Sequence, residues 1–196
     1  ILAVYFTLLV THIKRLFGNI SNNFIRVNIG ALLVGLMIFL FPVLYGDSYH
    51  GLREILSEIP TTSKISLFFL LSITLLKPLV ASLTLGAGGD GGVFAPSIVA
   101  GAFLGLLVAL IGNKYFNTNL IPLNFALVGA SATLSASLFA PLTSIILICD
   151  LLPNGYVLFI PILIGSLFSY LISKRIVPYN VYSFENNKKN HTLKKG

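Results

Sequence analysis

The sequence predicts an all-α protein that crosses a lipid bilayer several times. Hydrophobic residues make up 56% of the 196 residues and charged residues only 10%, whereas a soluble domain carries roughly a quarter charged residues. Several apolar segments approach the length of about 20 residues that spans the hydrocarbon core. Glycine or proline interrupts many of them, which is typical of discontinuous helices around a binding site near the bilayer midplane.

The first part of the chain alternates apolar and polar segments. Residues 1–10 are apolar and end at a basic cluster around Arg15, which we expect at an interface. Residues 19–23 form a polar connection, and residues 27–44 form a second span. Residues 50–59 are amphipathic and too short to span at about 1.5 Å per residue. We therefore expect them to be interfacial or partly inserted.

The middle of the chain contains the most informative segment. Residues 65–85 form a third span, and residues 86–92 then carry five glycines in seven positions. An apolar helix is predicted over residues 97–111, followed by a polar loop at 112–119. A glycine-rich hinge therefore leads into the amino-terminal end of a helix inside a membrane protein.

The last part is predicted to contain short and broken helices. Residues 123–138 are rich in small side chains, which suit close helix contacts in lipid. Phe139-Ala140-Pro141 breaks this helix, and residues 142–152 are too short to span alone. Residues 156–172 form another apolar run, and residues 178–183 a last short segment.

We interpret residues 1–184 as one transmembrane domain and residues 185–196 as a basic polar tail. A basic tail favours the cytoplasmic side of the membrane, and it is also compatible with a solvated, disordered end. We expect a bacterial inner membrane. The chain opens in apolar sequence without Met, so we expect it to be the latter part of a longer protein.

The hinge predicts an anion site. Irregular backbone at membrane depth is tolerated only where it is buried in protein or lines a wet cavity. The start of a helix exposes unpaired N–H groups and a partial positive charge. Such an end is a natural place to hold an anion.

Other chemistries find little support. The three histidines are scattered without metal-ligand spacing, and Cys149 sits in an apolar run that indicates packing. Gly86, Gly88 and Gly91 match a dinucleotide fingerprint, but that motif needs a βαβ unit. We therefore predict no enzyme, no cofactor, no metal and no nucleic-acid partner.

Three motifs resemble the CLC family of chloride channels and chloride/proton exchangers. Gly92-Val93-Phe94-Ala95-Pro96 resembles its GxFxP motif. Residues 129–151, with Ala-Pro-Leu-Thr at 140–143, resemble a second family stretch. Pro178-Tyr179-Asn180-Val181-Tyr182 resembles the PYSIY segment. The order of these motifs resembles the second of the family's two inverted-topology halves, with broken and re-entrant helices.

The resemblance implies transport of chloride and similar anions, as a channel or as an anion/proton exchanger. It implies that backbone N–H groups at Val93 and Phe94 and the hydroxyl of Tyr182 bind the anion. Gly91, Gly92 and Pro96 would shape the loop. It also implies a homodimer in the lipid bilayer, with contacts at residues matching 142–152 and 156–172.

The family's GSGIP and GKEGP motifs belong to its first half and do not occur in this chain. We therefore expect an upstream half of the same polypeptide to complete the site, and we expect residues 1–196 alone not to transport. A membrane scaffold or assembly subunit without transport is the alternative. Channel and exchanger, and the anion preferred, stay open.

Four residues keep two interpretations. Phe94 is an anion-site residue or a core aromatic, and Tyr182 is an anion ligand or an interfacial belt residue, a role that Tyr179 could also fill. Asp90 is a helix N-cap or a loop carboxylate. Lys77, inside a span, is a functional cation or a partner of helix carboxyl-terminal carbonyls.

Overall fold

The computed structural model describes residues 1–46, 66–151 and 155–183. Most of these residues lie in helices, and none of them lies in a β-strand. The predicted segment 50–59 and tail 185–196 lie outside these residues. The helices are α1 Leu2–Gly18, α2 Asn23–Leu40, a 3-10 turn Pro42–Leu44, α3 Leu67–Ala87, α4 Phe94–Phe116, α5 Pro122–Leu138, α6 Pro141–Asp150, a 3-10 turn Gly155–Leu158 and α7 Phe159–Ile176. The all-α fold class is thereby confirmed.

The helices differ in length, as expected for discontinuous membrane spans. In the described ranges, four segments are long and apolar enough to cross a membrane: α2, α3, α4 and Gly155–Ile176, which joins the second 3-10 turn to α7. Helices α5 and α6 are apolar but shorter. The predicted break at Phe139 is confirmed, since this residue takes a left-handed conformation with φ 58° between α5 and α6.

Helix α4 lies at the centre of the described structure, and α2 lies at its edge. In the membrane-length window of α4, 67% of the residues are buried, against 6% for α2. The buried residue of α2 is Gly30, which packs against Ala87 at the end of α3. Val34, Met37 and Ile38 pack partly against the core, whereas most other apolar side chains of α2 are exposed, as expected of a helix in lipid.

Helices α4 and α5 approach each other backbone to backbone. A Cβ added at Gly105 would overlap the carbonyl oxygen of Phe125. A Cβ at Gly101 would overlap the carbonyl oxygen of Gly129, and a Cβ at Gly129 would overlap that of Gly101. The close packing predicted from the small residues of α5 is therefore confirmed, and glycine is required on both helices.

Buried hydroxyl groups join α5 to α6 and α7. The Oγ atom of Ser131 lies 2.6 Å from that of Ser166 and donates to that of Ser144 at 3.5 Å. Ser135 Oγ donates to the carbonyl of Ser166 at 2.9 Å. All four side chains are fully buried. Since hydrocarbon offers no alternative partner, these bonds hold the three helices in one arrangement.

The expected end of the first apolar segment near residue 10 is wrong, because α1 continues to Gly18. The hydroxyl of Thr11 donates to the carbonyl of Thr7 and is satisfied within the helix. Farther along, Ile13 and Phe17 are buried against Ala87. The basic residues therefore lie on a helix whose apolar face is packed.

The predicted loop 112–119 is shorter than expected, because α4 runs to Phe116. The side chain of Asn113 donates to the carbonyl of Leu120 at 2.8 Å and accepts the N–H of Leu120 at 2.6 Å. Gly112 lets the returning chain approach, since its Cβ would lie 2.8 Å from Leu120 Cδ1. Tertiary contact thus extends the helix into polar sequence.

The second span is also displaced, because α2 begins at Asn23 rather than at residue 27. Asn22 caps it by accepting the N–H of Phe24 at 3.0 Å.

Pro78 lies inside α3 without ending it.

We predict that Gly105→Ala destabilises the protein by about 1–3 kcal/mol, the usual cost of overpacking. The added methyl group would push α4 away from the backbone of Phe125. Gly35→Ala is the matched control, because no atom lies within 4 Å of its added Cβ. Thermal unfolding in detergent, followed by circular dichroism, measures both variants, and equal midpoints would contradict the packing described above.

Candidate functional site

The glycine loop begins where α3 ends. Gly88 caps α3 with φ 97°, a left-handed conformation that glycine adopts without strain. Gly89 donates its N–H to the carbonyl of Thr84 at 2.9 Å, and its Cβ would lie 2.9 Å from Thr84 Cγ2. These two positions are where the loop itself requires glycine. Gly91 and Gly92 have room for a Cβ among the described atoms.

Arg26 of α2 holds the start of the loop. Its Nε donates to the carbonyl of Ala87 at 3.2 Å. A Cβ at Gly88 would lie 3.1 Å from its Nη2. A cation at the carboxyl end of α3 interacts favourably with the helix dipole. No sequence pattern singles out Arg26, because its partner lies 61 positions away.

Helix α4 begins immediately after the loop. Val93 is its N-cap residue and is fully buried, whereas Phe94 is 41% exposed. No side chain caps this helix. Pro96 has no N–H, and the N–H of Ser97 donates to the carbonyl of Val93 at 3.1 Å. The first turn therefore leaves the N–H groups of Phe94 and Ala95 without an intrahelical acceptor.

The expectation that Asp90 could cap α4 is wrong, because the N-cap position belongs to Val93 and no side chain bonds there. Asp90 is an exposed loop carboxylate, which is its other interpretation. The hydroxyl of Ser97, one turn into α4, is fully buried and has no hydrogen-bond partner in the described part of the chain.

A cavity of about 270 Å³ lies between the loop and α3. At roughly 30 Å³ per water, it has room for a small anion with several waters. Its lining residues are Gly46, Lys77, Val80, Ala81, Thr84, Gly91, Gly92, Ala95 and Pro96. The predicted loop residues Gly91, Gly92 and Pro96 therefore share one cavity with the intramembrane lysine.

The side chain of Lys77 forms part of the wall of this cavity. Its side chain is 3% exposed, and Nζ donates to the carbonyls of Leu44 at 3.1 Å and of Gly46 at 2.7 Å. These carbonyls lie at the carboxyl end of the first 3-10 turn. The interpretation of Lys77 as a partner of helix-end carbonyls is confirmed. The same side chain lines one cavity with Gly91 and Gly92 of the glycine loop.

Tyr182 lies elsewhere, beside the carboxyl end of α5. Its neighbour Val181 is buried and donates its N–H to the carbonyl of Ser137 at 3.3 Å. The ring of Tyr182 is 55% exposed, and its hydroxyl makes no hydrogen bond within the described residues. Tyr182 is not among the residues that line the cavity of Lys77.

A second cavity, of about 350 Å³, lies beside α1. Its lining residues are Tyr5, Leu8, Leu9, Thr11, His12, Arg15 and Tyr179. Tyr179 therefore faces the basic end of α1. In the described ranges, no group of three or more His, Cys, Asp or Glu side chains could hold a metal ion.

The chain matches a known protein-family model. The family model described as "Voltage gated chloride channel" matches residues 1–174. This range includes the glycine loop, the start of α4 and both cationic side chains near them, and it ends before Tyr182. Because the match covers most of the chain, the protein belongs to the voltage-gated chloride channel family.

Proposed function

We propose that this chain forms one side of a chloride pathway in which the anion is held at the start of α4. The observation that carries the proposal is the uncapped amino-terminal end of α4, which follows a glycine loop lining the cavity of Lys77. Membership of the family supports chloride transport in general. The assignment of individual ligands is part of the proposal.

The backbone N–H groups at Val93 and Phe94 replace part of the anion's water shell. They are neutral dipoles at the positive end of a helix, so they attract the anion without a full charge in contact with it. The hydroxyl of Tyr182 donates from the other side of the path. Binding of this kind is strong enough for entry and weak enough for release, as conduction requires.

Lys77 raises the electrostatic potential of the cavity. Two carbonyl oxygens occupy hydrogen-bonding directions of its ammonium group. We propose that anions collect in this cavity before they reach the start of α4.

Assembly and orientation complete the proposal. Helices α6 and α7 expose large apolar side chains, among them Leu142 and Phe168, which supports a homodimer that pairs there. Lys174 and Arg175 close α7 and favour a cytoplasmic carboxyl terminus in a bacterial inner membrane. The same anion site serves a channel or an anion/proton exchanger, with the upstream half of the polypeptide supplying further ligands.

We predict that Lys77→Met slows chloride efflux several-fold at low ionic strength, since about 1 kcal/mol of attraction is lost. The deficit should shrink when an impermeant salt screens the cavity. Lys77→Arg, which keeps charge and donors, should restore most of the rate. The rates are measured as chloride efflux from liposomes that contain the protein together with its proposed upstream half. Equal rates for Lys77→Met and the natural protein at low ionic strength would contradict the role of Lys77.

Gly92→Val should also slow efflux several-fold without loss of folded protein. No described atom lies within 4 Å of an added Cβ at this position. The valine side chain would therefore project into the cavity and narrow it, without disturbing the packing of the core. Gly35→Val is the matched control, because its Cβ is equally free but projects from α2. If both variants transport at the natural rate, the cavity is not on the anion path.

Tyr182→Phe should weaken chloride binding about two- to tenfold, as expected for one hydrogen bond of about 0.5–1.5 kcal/mol. The fold should be unaffected, because the hydroxyl bonds to no group in the described chain. Tyr179→Phe is the control phenol. Calorimetric titration with chloride measures the affinity of both variants. An unchanged affinity in Tyr182→Phe would mean that another group, and not the hydroxyl of Tyr182, binds the anion.

A further inference from the structure

Asn180 organises the turn that carries Tyr182. Its side-chain oxygen Oδ1 accepts the backbone N–H of Tyr182 at 3.0 Å and the N–H of Ser183 at 2.7 Å. In return, the N–H of Asn180 donates to the hydroxyl of Ser183 at 2.9 Å. This reciprocal arrangement resembles the capping box at the start of a helix. It fixes the backbone on both sides of Tyr182.

The same side chain attaches the turn to α5. The Nδ2 atom of Asn180 donates to the carbonyl of Leu138 at 3.0 Å. Leu138 is the last residue of α5, where helix carbonyls have no intrahelical partner. Next to it, the carbonyl of Ser137 accepts the N–H of Val181 at 3.3 Å. Two hydrogen bonds thus tie the segment to a helix end 42 positions earlier in the chain.

An asparagine is well suited to this position. Its amide offers an acceptor and two donors in one plane, so it can hold the turn and the helix end at once. Serine could accept from the turn, but it has no second group to bond Leu138. Alanine could do neither, and the carbonyl of Leu138 would lose its side-chain partner.

We infer that Asn180 is the positioning residue for Tyr182. It orders the turn, ties it to the carboxyl end of α5 and thereby sets where the tyrosine hydroxyl meets the anion. The last step rests on the proposed function, in which that hydroxyl is an anion ligand. Asn180 acts through Tyr182 and does not itself touch the anion.

The first test measures the turn directly, without anion. Amide hydrogen exchange over residues 179–183 should accelerate on the order of tenfold in Asn180→Ala. Asn180→Ser should restore the slow exchange only in part, because serine keeps an acceptor for the turn but loses the bond to the carbonyl of Leu138. Asn113→Ala is the matched control, because Asn113 fastens the loop after α4 by the same two kinds of bond. Unchanged exchange over 179–183 in Asn180→Ala would overturn the inference.

The second test is a double-mutant cycle on chloride affinity, measured by calorimetry on the protein expressed from its native gene. Asn180→Ala should weaken binding roughly fivefold, equivalent to about 1 kcal/mol. In a Tyr182→Phe background it should have no further effect, because the hydroxyl it positions is absent. Asn113→Ala should leave the affinity unchanged in both backgrounds.

The outcomes separate the two ideas. Equal weakening by Asn180→Ala with and without the Tyr182 hydroxyl would show that Asn180 does not act through Tyr182, which overturns the inference. A Tyr182→Phe protein with natural affinity would overturn the anion role of Tyr182 in the proposed function. In that case, faster exchange in Asn180→Ala would still support its role in ordering the turn.

Discussion

The close approach of α4 to α5 is the constraint on which the rest of the structure depends. Glycines on both helices bring the two backbones together, and this contact sets the position of α4 at the centre of the fold. The glycine loop and the uncapped start of α4 follow from that position. On the other side, the carboxyl end of α5 receives the turn of Tyr182. Both predicted parts of the anion site are therefore attached to one helix pair.

In the part of the chain that the structure describes, four interruptions of the helical backbone are bridged by a polar side chain. Arg26 binds the end of α3, Lys77 the end of the first 3-10 turn, Asn113 the loop after α4 and Asn180 the end of α5. Broken helices in lipid leave carbonyl groups that water cannot satisfy. Near the proposed anion path, the partners of these carbonyls are cations or amides, which satisfy them without adding negative charge.

Composition and motif order were enough to predict the fold class, the short helix α6 and the close packing of α5, because these depend on local hydrophobicity and side-chain size. Helix ends were less predictable. Helix α1 continues through basic residues because Ile13 and Phe17 pack on α3, and α4 continues through Asn113 because Leu120 returns to it. The loop was located from its glycines, but its contact with Arg26 spans distant sequence. The roles of Val93, Phe94 and Tyr182 remain predictions.

The contact between α2 and the end of α3 has a consequence for how this sequence can diverge. Gly30 leaves no room for a side chain because Ala87 occupies the space, and Gly88 lies against the guanidinium of Arg26. A larger residue at 87 or 88 is therefore acceptable only if α2 changes at the facing position. At the exposed positions of α2, such as Leu32, Leu36 and Phe39, apolar residues can replace one another freely. Homologous sequences should accordingly show paired substitutions at Gly30 with Ala87 and at Arg26 with Gly88, while the exposed positions of α2 vary independently.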